Sequence, residues 1–527
     1  MSLWTWSPTN SSLGRPLHLT EERADPKTDE REGAAPRLVK SMAPNVFVRL
    51  ACGGGHALAL TGDGRLYAWG WNSYGQLGGG TGRDDASWPQ AVPAFTGLRC
   101  GCIAAGAAHS AALVWDDRVA GVPPAVRCYT WGAHGAGQLG HPSADAHGSP
   151  REVDALSEVR LAMPTSLEEA RATAAGAHLG EPALEPLACG AAHTALVTAD
   201  GALWAWGCNA SGQLGHQRLS AATAPAPVLA LQHERVAQVS CGAAHTLALT
   251  GKGKVLAFGL NATGQLGNGG ASNGATPTPA AVRLPAGVAA TAVAAGEEFS
   301  CALTAEGRLF TWGYGGCGQL GHGSTASLKL PREAATPEPV VSVSCGGGHV
   351  LARTARGGVL RWGHEGSWDA LQRATDAQRA AAALPTAMRL DHEGGGGATA
   401  EAQPMAARAV GAGRCFSAII GEPLPVMASD RAVGLIQGMW QGRTRRRQRD
   451  EAQREGRAAE VLARRSTAFL ARRALRDAAE ADDLRRKEVA ATRVQAAARR
   501  RAAQGEAEHA SEAVSYTHLT LPTICSV

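Results

Sequence analysis

Phenylalanine and tyrosine are scarce in this chain, 7 and 5 among 527 residues, beside 13 tryptophans and 66 glycines. Many glycine turns and one recurring large aromatic point to a repeated unit rather than an irregular core. No stretch approaches the roughly 18 consecutive apolar residues of a membrane-spanning helix. The 12 cysteines include no Cys-x-x-Cys pair, which removes zinc ribbons and thioredoxin-type motifs. Neither a P-loop nor a His-Glu-x-x-His zinc motif is present, so no cofactor and no metal are expected. The opening MSLWTWSPTNSS lacks the basic start and apolar centre of a secretory signal. The expected setting is therefore inside the cell, with reduced cysteines, in the cytoplasm or alternatively the nucleus. A net charge of +5 is small for this length and by itself implies no nucleic-acid partner.

What is present is one pattern said many times. Ala51–Gly78 holds two short apolar runs, His56–Leu60 and Leu66–Trp69, around the turn Thr61–Gly64, with a second glycine-rich turn at Asn72–Gly78. Alternating apolar residues about an Asp-Gly turn predict a β-hairpin. The first half recurs at Ala104–Leu113, Ala188–Val197, Ser240–Leu249, Ala294–Leu303 and Ser344–Arg353. The second half recurs at Trp131–Gly140, Trp206–Gly215, Phe258–Gly267 and Trp312–Gly321, and in worn form from Trp362. The pairs His56 and Trp69, His193 and Trp206, His245 and Phe258, Phe299 and Trp312, and His349 and Trp362 are each 13 residues apart. The spacing from His109 to Trp131 is longer, the excess being the polar stretch Asp116–Pro124.

Units of about 50 residues made of short strands cannot bury their faces alone and must stack on one another; radial stacking of four-stranded sheets gives a β-propeller. Six units have both halves. A seventh first half stands at Val410–Ile420, with Phe416 in the histidine slot, and Leu3–Gly14 supplies an imperfect second half. The expected fold class is all-β: a seven-bladed β-propeller closed by strands from both termini, followed by an α-helical basic tail. The Cys-Gly-x-x-His start and the Trp-Gly-x-Asn-x-x-Gly-Gln-Leu-Gly end resemble the regulator of chromosome condensation repeat family over residues 1–421. That resemblance implies the same seven-bladed fold. Kelch and WD repeats have related periods but other signatures.

Interruptions of the repeat mark loops. Residues 20–45 carry six acidic and five basic side chains and are expected to form a flexible loop. Residues 155–185 form an insertion in which Ser166–Glu169 reads as the capping box of a short helix. Residues 365–408 form another, with a helix expected over Ser367–Leu384. Residues 422–430 read as a linker. In the tail, 431–513, glycine nearly vanishes and helix-forming Ala, Arg, Glu and Gln dominate. Leu435–Asp450 resembles an IQ motif, the element that binds calmodulin, through Ile436, Gln437, Gly442 and Arg446. Arg493–Gln504 resembles a second through Val494, Gln495 and Arg499. The last stretch, 514–527, breaks from this composition and reads as non-native read-through.

Two motif matches carry no chemistry. Gly313–Gly318 satisfies a dinucleotide-type pattern but opens no helix, and Gly270–Gly274 satisfies Gly-x-Ser-x-Gly in a polar loop without a strand-to-helix elbow. His56, His109, His193, His245 and His349 fall one per blade, which separates them too far to share a metal; structural hydrogen bonding is the expectation. Trp69, Trp131, Trp206, Phe258, Trp312 and Trp362 are expected in the core. No catalytic residue is expected, and the chain is not read as an enzyme. The function expected is a protein-interaction scaffold whose tail binds calmodulin-like proteins. The alternative, implied by the resemblance, is a guanine-nucleotide exchange factor for a small, Ran-type GTPase.

Overall fold

The computed structural model describes residues 2–6, 37–38, 47–116, 125–142, 147–162, 185–270, 275–364, 382–388, 405–414 and 417–423. The chain divides into two compact units, Met1–Val426 and Met427–Val527, and every described residue lies in the first.

Six four-stranded sheets are each built from one continuous run of chain, strands in sequence order and antiparallel. The first holds Phe47–Cys52, His56–Thr61, Leu66–Gly70 and Ala86–Ala91. Its equivalents begin at Arg99, Leu187, Val236, Ala290 and Val340. The second strand of each is buried along its whole length apart from two end residues of the second sheet, as a strand covered on both faces must be. The fixed spacing read from the sequence is a register. His56, His193, His245, Phe299 and His349 each pair with the glycine after the repeat aromatic on the third strand. His109 pairs with Gly132 in the same way, so the extra residues of that hairpin leave the register untouched.

A further four-stranded sheet joins the two ends: Ser2–Trp6 pairs with Arg37–Leu38 on one side and with Ser417–Pro423 on the other, and Met405–Ala412 follows. The expected fold class is corrected here. Only six blades are units of the repeat in one piece; the closing sheet is a composite. Its outer strand, Arg37–Leu38, comes from within the charged stretch 20–45 that was expected to be loop. The expected α-helical tail is not supported. Regular structure among the described residues is strand, the 3-10 turns Pro93–Phe95, Asp154–Leu156 and Leu229–Leu231 and a helical residue at Ala382, and residues 431–513 lie outside the described residues. The helix expected over Ser166–Gly176 falls outside them too, and of the one expected over Ser367–Leu384 only the end is described, Ala382 helical, Ala383 in a turn and Leu384 in a bend. Thr386–Met388, inside the expected insertion 365–408, is the fourth strand of the sixth sheet.

The seams between sheets carry a repeated polar contact. The histidine Nε2 of one blade lies beside the hydroxyl that follows the histidine slot of the next: His56 to Ser110 at 2.8 Å, and His109 to Thr194, His193 to Thr246 and His245 to Ser300 at 3.0 Å each. His349 meets Ser417 at 2.9 Å, joining the sixth blade to the composite sheet. The hydroxyls of Ser110, Thr194, Thr246 and Ser300 donate in turn to the main-chain carbonyls of Gln76, Gln138, Gln213 and Gln265. A hydroxyl has one proton, so the imidazole must donate from Nε2. Trp131, Trp312 and Trp362 add indole N–H donors to the carbonyls of Gln76, Gln265 and Gln319. The glutamine side chains, meanwhile, fold back to accept amides of their own turns, as Gln76 does from Tyr74 at 3.0 Å.

Backbone hydrogen bonds between the turns from first to second strand also cross six of the seven seams. Gly54 donates to Gly106, Ala107 to Gly190, Ala243 to Glu297, Glu297 to Gly346, Gly347 to Gly413, and Arg414 back to Gly53. Glycine is required beside these contacts. A Cβ on Gly106 would stand 2.5 Å from the Gly190 carbonyl and 2.4 Å from the His109 ring.

Two seams depart from the rule: Ala57 stands in the hydroxyl position of the first blade, opposite the composite sheet, and the seam between the fifth and sixth blades lacks both members of the pair. Phe299 takes the histidine slot of the fifth blade, and Val350 stands where the hydroxyl would be; both are fully buried in the same apolar cluster. The two replacements match, since either alone would leave a buried polar group without its partner. Phe299→His alone is therefore expected to destabilise by about 2 kcal/mol. Adding Val350→Ser is expected to restore more than half of that loss, measured as the shift in urea midpoint. Equal losses in the single and double variants would show that the two positions are independent.

Burial pushes the imidazoles of His56, His109 and His245 down to about 3, and that of His193 to about 4. The folded chain thus binds fewer protons than the unfolded chain below the ordinary histidine value of about 6.5. The stability these groups confer is complete above that value and is lost as pH falls from it toward 3. The urea midpoint should accordingly be flat above pH 7 and fall continuously between about 6.5 and 4. A midpoint constant across that window would contradict the buried, neutral assignment.

Candidate functional site

The histidines and aromatics singled out in the sequence are committed to the seams and core. His56, His109, His193, His245 and His349 are fully buried, as are Trp69, Trp131, Trp206, Phe258, Trp312 and Trp362. They are distributed around the ring and are brought together nowhere. Among the described residues no three histidine, cysteine or carboxylate groups could hold a metal ion. Ile436, Gln437, Gly442, Arg446, Val494, Gln495 and Arg499 lie outside the described residues.

What remains for function is the surface where the repeat varies. In an antiparallel meander, the turn from first to second strand and the loop from third to fourth emerge at the same end. In this fold they are bonded to each other. The amide after each Trp-Gly or Phe-Gly pair donates to the first turn at 2.7 to 3.0 Å: Trp71 to Gly55, Ala133 to Ala108, Cys208 to Ala192, Leu260 to Ala244, Tyr314 to Glu298 and His364 to Gly348. The backbone at this position is therefore invariant while the side chain differs in every blade. These six side chains are half-buried, so each presents part of its surface at one end of the ring. Trp71 packs edge-on against Tyr74 with centroids 5.4 Å apart, and Tyr74 is exposed.

The first turns themselves are small, Gly54–Gly55, Ala107–Ala108, Ala191–Ala192, Ala243–Ala244 and Gly347–Gly348, with two exceptions. The fifth blade carries Glu297 and Glu298, and the composite sheet carries Arg414. Arg414 reaches Glu297 at 3.1 Å, passing over the turn of the sixth blade. Gly347 leaves the room for this: a Cβ there would stand 2.7 Å from the Arg414 carbonyl and 3.2 Å from Glu297 Oε2. Glu298 is pushed up by burial and by the charge of Glu297. Tyr314 is likewise raised, first by burial and then by Cys317 and Glu298. With side chains 62% and 37% exposed, the Arg414–Glu297 pair contributes at most about 1 kcal/mol to stability. Its importance is as an ion pair, beside Glu298, in a turn ring that is otherwise small and apolar among the described residues.

Sequence reasoning passed over Glu297, Glu298 and Arg414. The signal was there: they occupy the two variable positions of Cys-Gly-x-x-His, where every other copy has glycine or alanine except at Cys415. The position after Trp-Gly could have been found in the same way, as the residue of an otherwise constant motif that never repeats.

The regulator of chromosome condensation (RCC1) repeat profile matches residues 63–113, 200–249, 252–303 and 306–353, and a second profile of the same description matches 47–76, 236–265 and 290–319. The chain is 29% identical over 338 residues to the ultraviolet-B receptor UVR8 of Arabidopsis thaliana, covering 64% of this chain and 69% of that protein. It is 32% identical to the RCC1 domain-containing mitochondrial protein RUG3 of the same plant, covering 62% of this chain and 68% of RUG3. It also matches human E3 ubiquitin-protein ligase HERC2, of which it spans only 6%. Among solved structures, Prp20p of Saccharomyces cerevisiae superposes with a TM-score of 0.63 at 23% identity, over 83% of this chain and 95% of Prp20p. Repeat signature and propeller architecture agree, and the chain belongs to the regulator of chromosome condensation (RCC1) repeat family.

Proposed function

We propose that this protein is a non-catalytic interaction scaffold that binds a protein partner through the end of the propeller carrying the first turns. The observation that carries the reading is the contrast at that end between a constant backbone and side chains that differ in each blade. Trp71, Tyr74 and Tyr314 offer the amphipathic aromatics enriched at protein interfaces, and Glu297 with Arg414 offers a charged point that sets orientation. The repeat histidines are spent on holding blades together, which leaves recognition to these residues. The fold relative Prp20p has described binding properties to Gsp1p and histones, and yeast RCC1 (Prp20) has been crystallised with Kap60; both support protein binding as the activity class.

The test compares partner capture by the wild-type chain, by Glu297→Lys with Tyr314→Ala, and by Lys252→Glu at the opposite end. Partners are expected to be lost at least tenfold in the double variant and retained in Lys252→Glu. Retention by the double variant and loss in Lys252→Glu would place the binding surface at the other end.

A second reading, nucleotide exchange on a Ran-type GTPase, is favoured by the likeness in fold to Prp20p. Exchange needs no covalent step, only a surface that stabilises the nucleotide-free partner. Release of labelled nucleotide from preloaded GTPases decides it: acceleration of tenfold or more supports exchange, and none across a panel that includes Ran-type GTPases excludes it. The finer reading of the tail rests on the two IQ-like motifs and the net charge of +8 over 431–512, from 20 basic and 12 acidic residues. A basic helix with spaced apolar anchors suits the groove of an acidic partner. A peptide spanning 431–504 is expected to shift calmodulin in a native gel, and the absence of a complex both with and without calcium removes this reading.

A further inference from the structure

The seam between the fifth and sixth blades contains a pair of thiols. Cys301 lies on the second strand of the fifth blade and is fully buried; Cys345 ends the first strand of the sixth and is half-buried. Their sulfurs are 3.3 Å apart, in contact but not bonded. Among the described residues no other seam repeats this. Cys241 occupies the position of Cys345 in the fourth blade, and its sulfur faces the Ala188 carbonyl at 3.9 Å. Cys345 likewise faces the Ala294 carbonyl at 3.8 Å. In the third blade, however, the position of Cys301 is held by Ala195, and in the second blade by Ala111. Only where the second cysteine is present do two thiols meet across a seam. It is the same seam in which Phe299 and Val350 replace the polar histidine–hydroxyl contact.

We propose that Cys301 and Cys345 form a redox modification site, at which a peroxide oxidant converts the thiol pair into a disulfide that tethers the fifth blade to the sixth. Cys345, the half-buried member, is the one an oxidant reaches. The Cys345 thiol gives up its proton, the thiolate attacks one oxygen of hydrogen peroxide, the O–O bond breaks to form a sulfenic acid, and the departing hydroxide takes up that proton as water. The Cys301 sulfur then attacks the sulfenic sulfur, the S–O bond breaks, and the departing hydroxide takes up the Cys301 proton as a second water. Two thiols and one peroxide thus give one disulfide and two waters. Burial holds the Cys345 thiol well above its ordinary value, which makes the first step slow. Contact between the sulfurs makes the second fast. The bond would give this seam a covalent link in place of the polar contact that five other seams have.

The experiment uses the full chain, reduced and then exposed to hydrogen peroxide, followed by alkylation under denaturing conditions and peptide mapping. The expected product is a cross-link between the peptides containing Cys301 and Cys345, two hydrogens lighter than the reduced pair. In Cys301→Ala, which installs the residue present in two other blades, no such cross-link forms and Cys345 is instead trapped as a sulfenic acid by dimedone. Oxidation is expected to raise the thermal midpoint of the wild type and not that of Cys301→Ala. The proposal is overturned if both thiols of the folded, peroxide-treated chain alkylate as they do before treatment. It is equally overturned if either is found joined to a different cysteine, or if the cross-link forms without raising the midpoint.

Discussion

The structure depends on one main-chain acceptor used repeatedly: the carbonyl of the glutamine in the Gly-Gln-Leu-Gly turn. It is buried, so it must be satisfied from within the protein. Its donors come from the neighbouring blade, a Ser or Thr hydroxyl and in three seams a tryptophan indole. The histidine supports the hydroxyl from the other side. A β-sheet packed face to face on another can slide with little change in apolar contact area. A directional contact that is expensive to leave unmade prevents that sliding. Each blade thereby fixes the position of the next, and a pattern written locally in each repeat sets the ring as a whole.

This commitment divides the molecule's residues by role. Side chains that the repeat holds constant are consumed in the interior. Those that differ between copies sit at one end on a backbone that does not change, which is a physical description of a recognition surface on a rigid frame. The small first turns allow the blades to approach the axis closely, and their hydrogen bonds cross six of the seven seams, Arg414 returning to Gly53.

The departures are not spread evenly. Phe299, Glu297, Glu298, Cys301, Tyr314 and Cys317 all belong to the fifth blade, and their counterparts across the seam include Val350 and Cys345. A single blade that drops the polar contact must replace it by packing, and Phe299 with Val350 does so. The turn before Phe299 is also the one that carries Glu297 and Glu298. The region that differs most from the repeat thus combines an apolar seam, a thiol pair and the charged point of the candidate surface.

The sequence by itself determined the repeat, its register and the all-β propeller, because strand alternation, turn glycines and the 13-residue spacing are local properties that survive in any single copy. The histidines' structural use was legible too, from their even separation along the chain. What only tertiary structure decided is whatever crosses a seam or closes the ring. The serine or threonine that receives each histidine lies in the next blade. Arg37–Leu38 became an outer strand although its surroundings are charged and proline-bearing, because the composite sheet needed a fourth strand and the chain passes beside it. Glu297 and Arg414, and Cys301 and Cys345, are distant in sequence and adjacent in space only because the blades are arranged radially. Pair contacts of that kind leave no periodic trace, since each occurs once, and a single sequence records repetition far better than it records meeting.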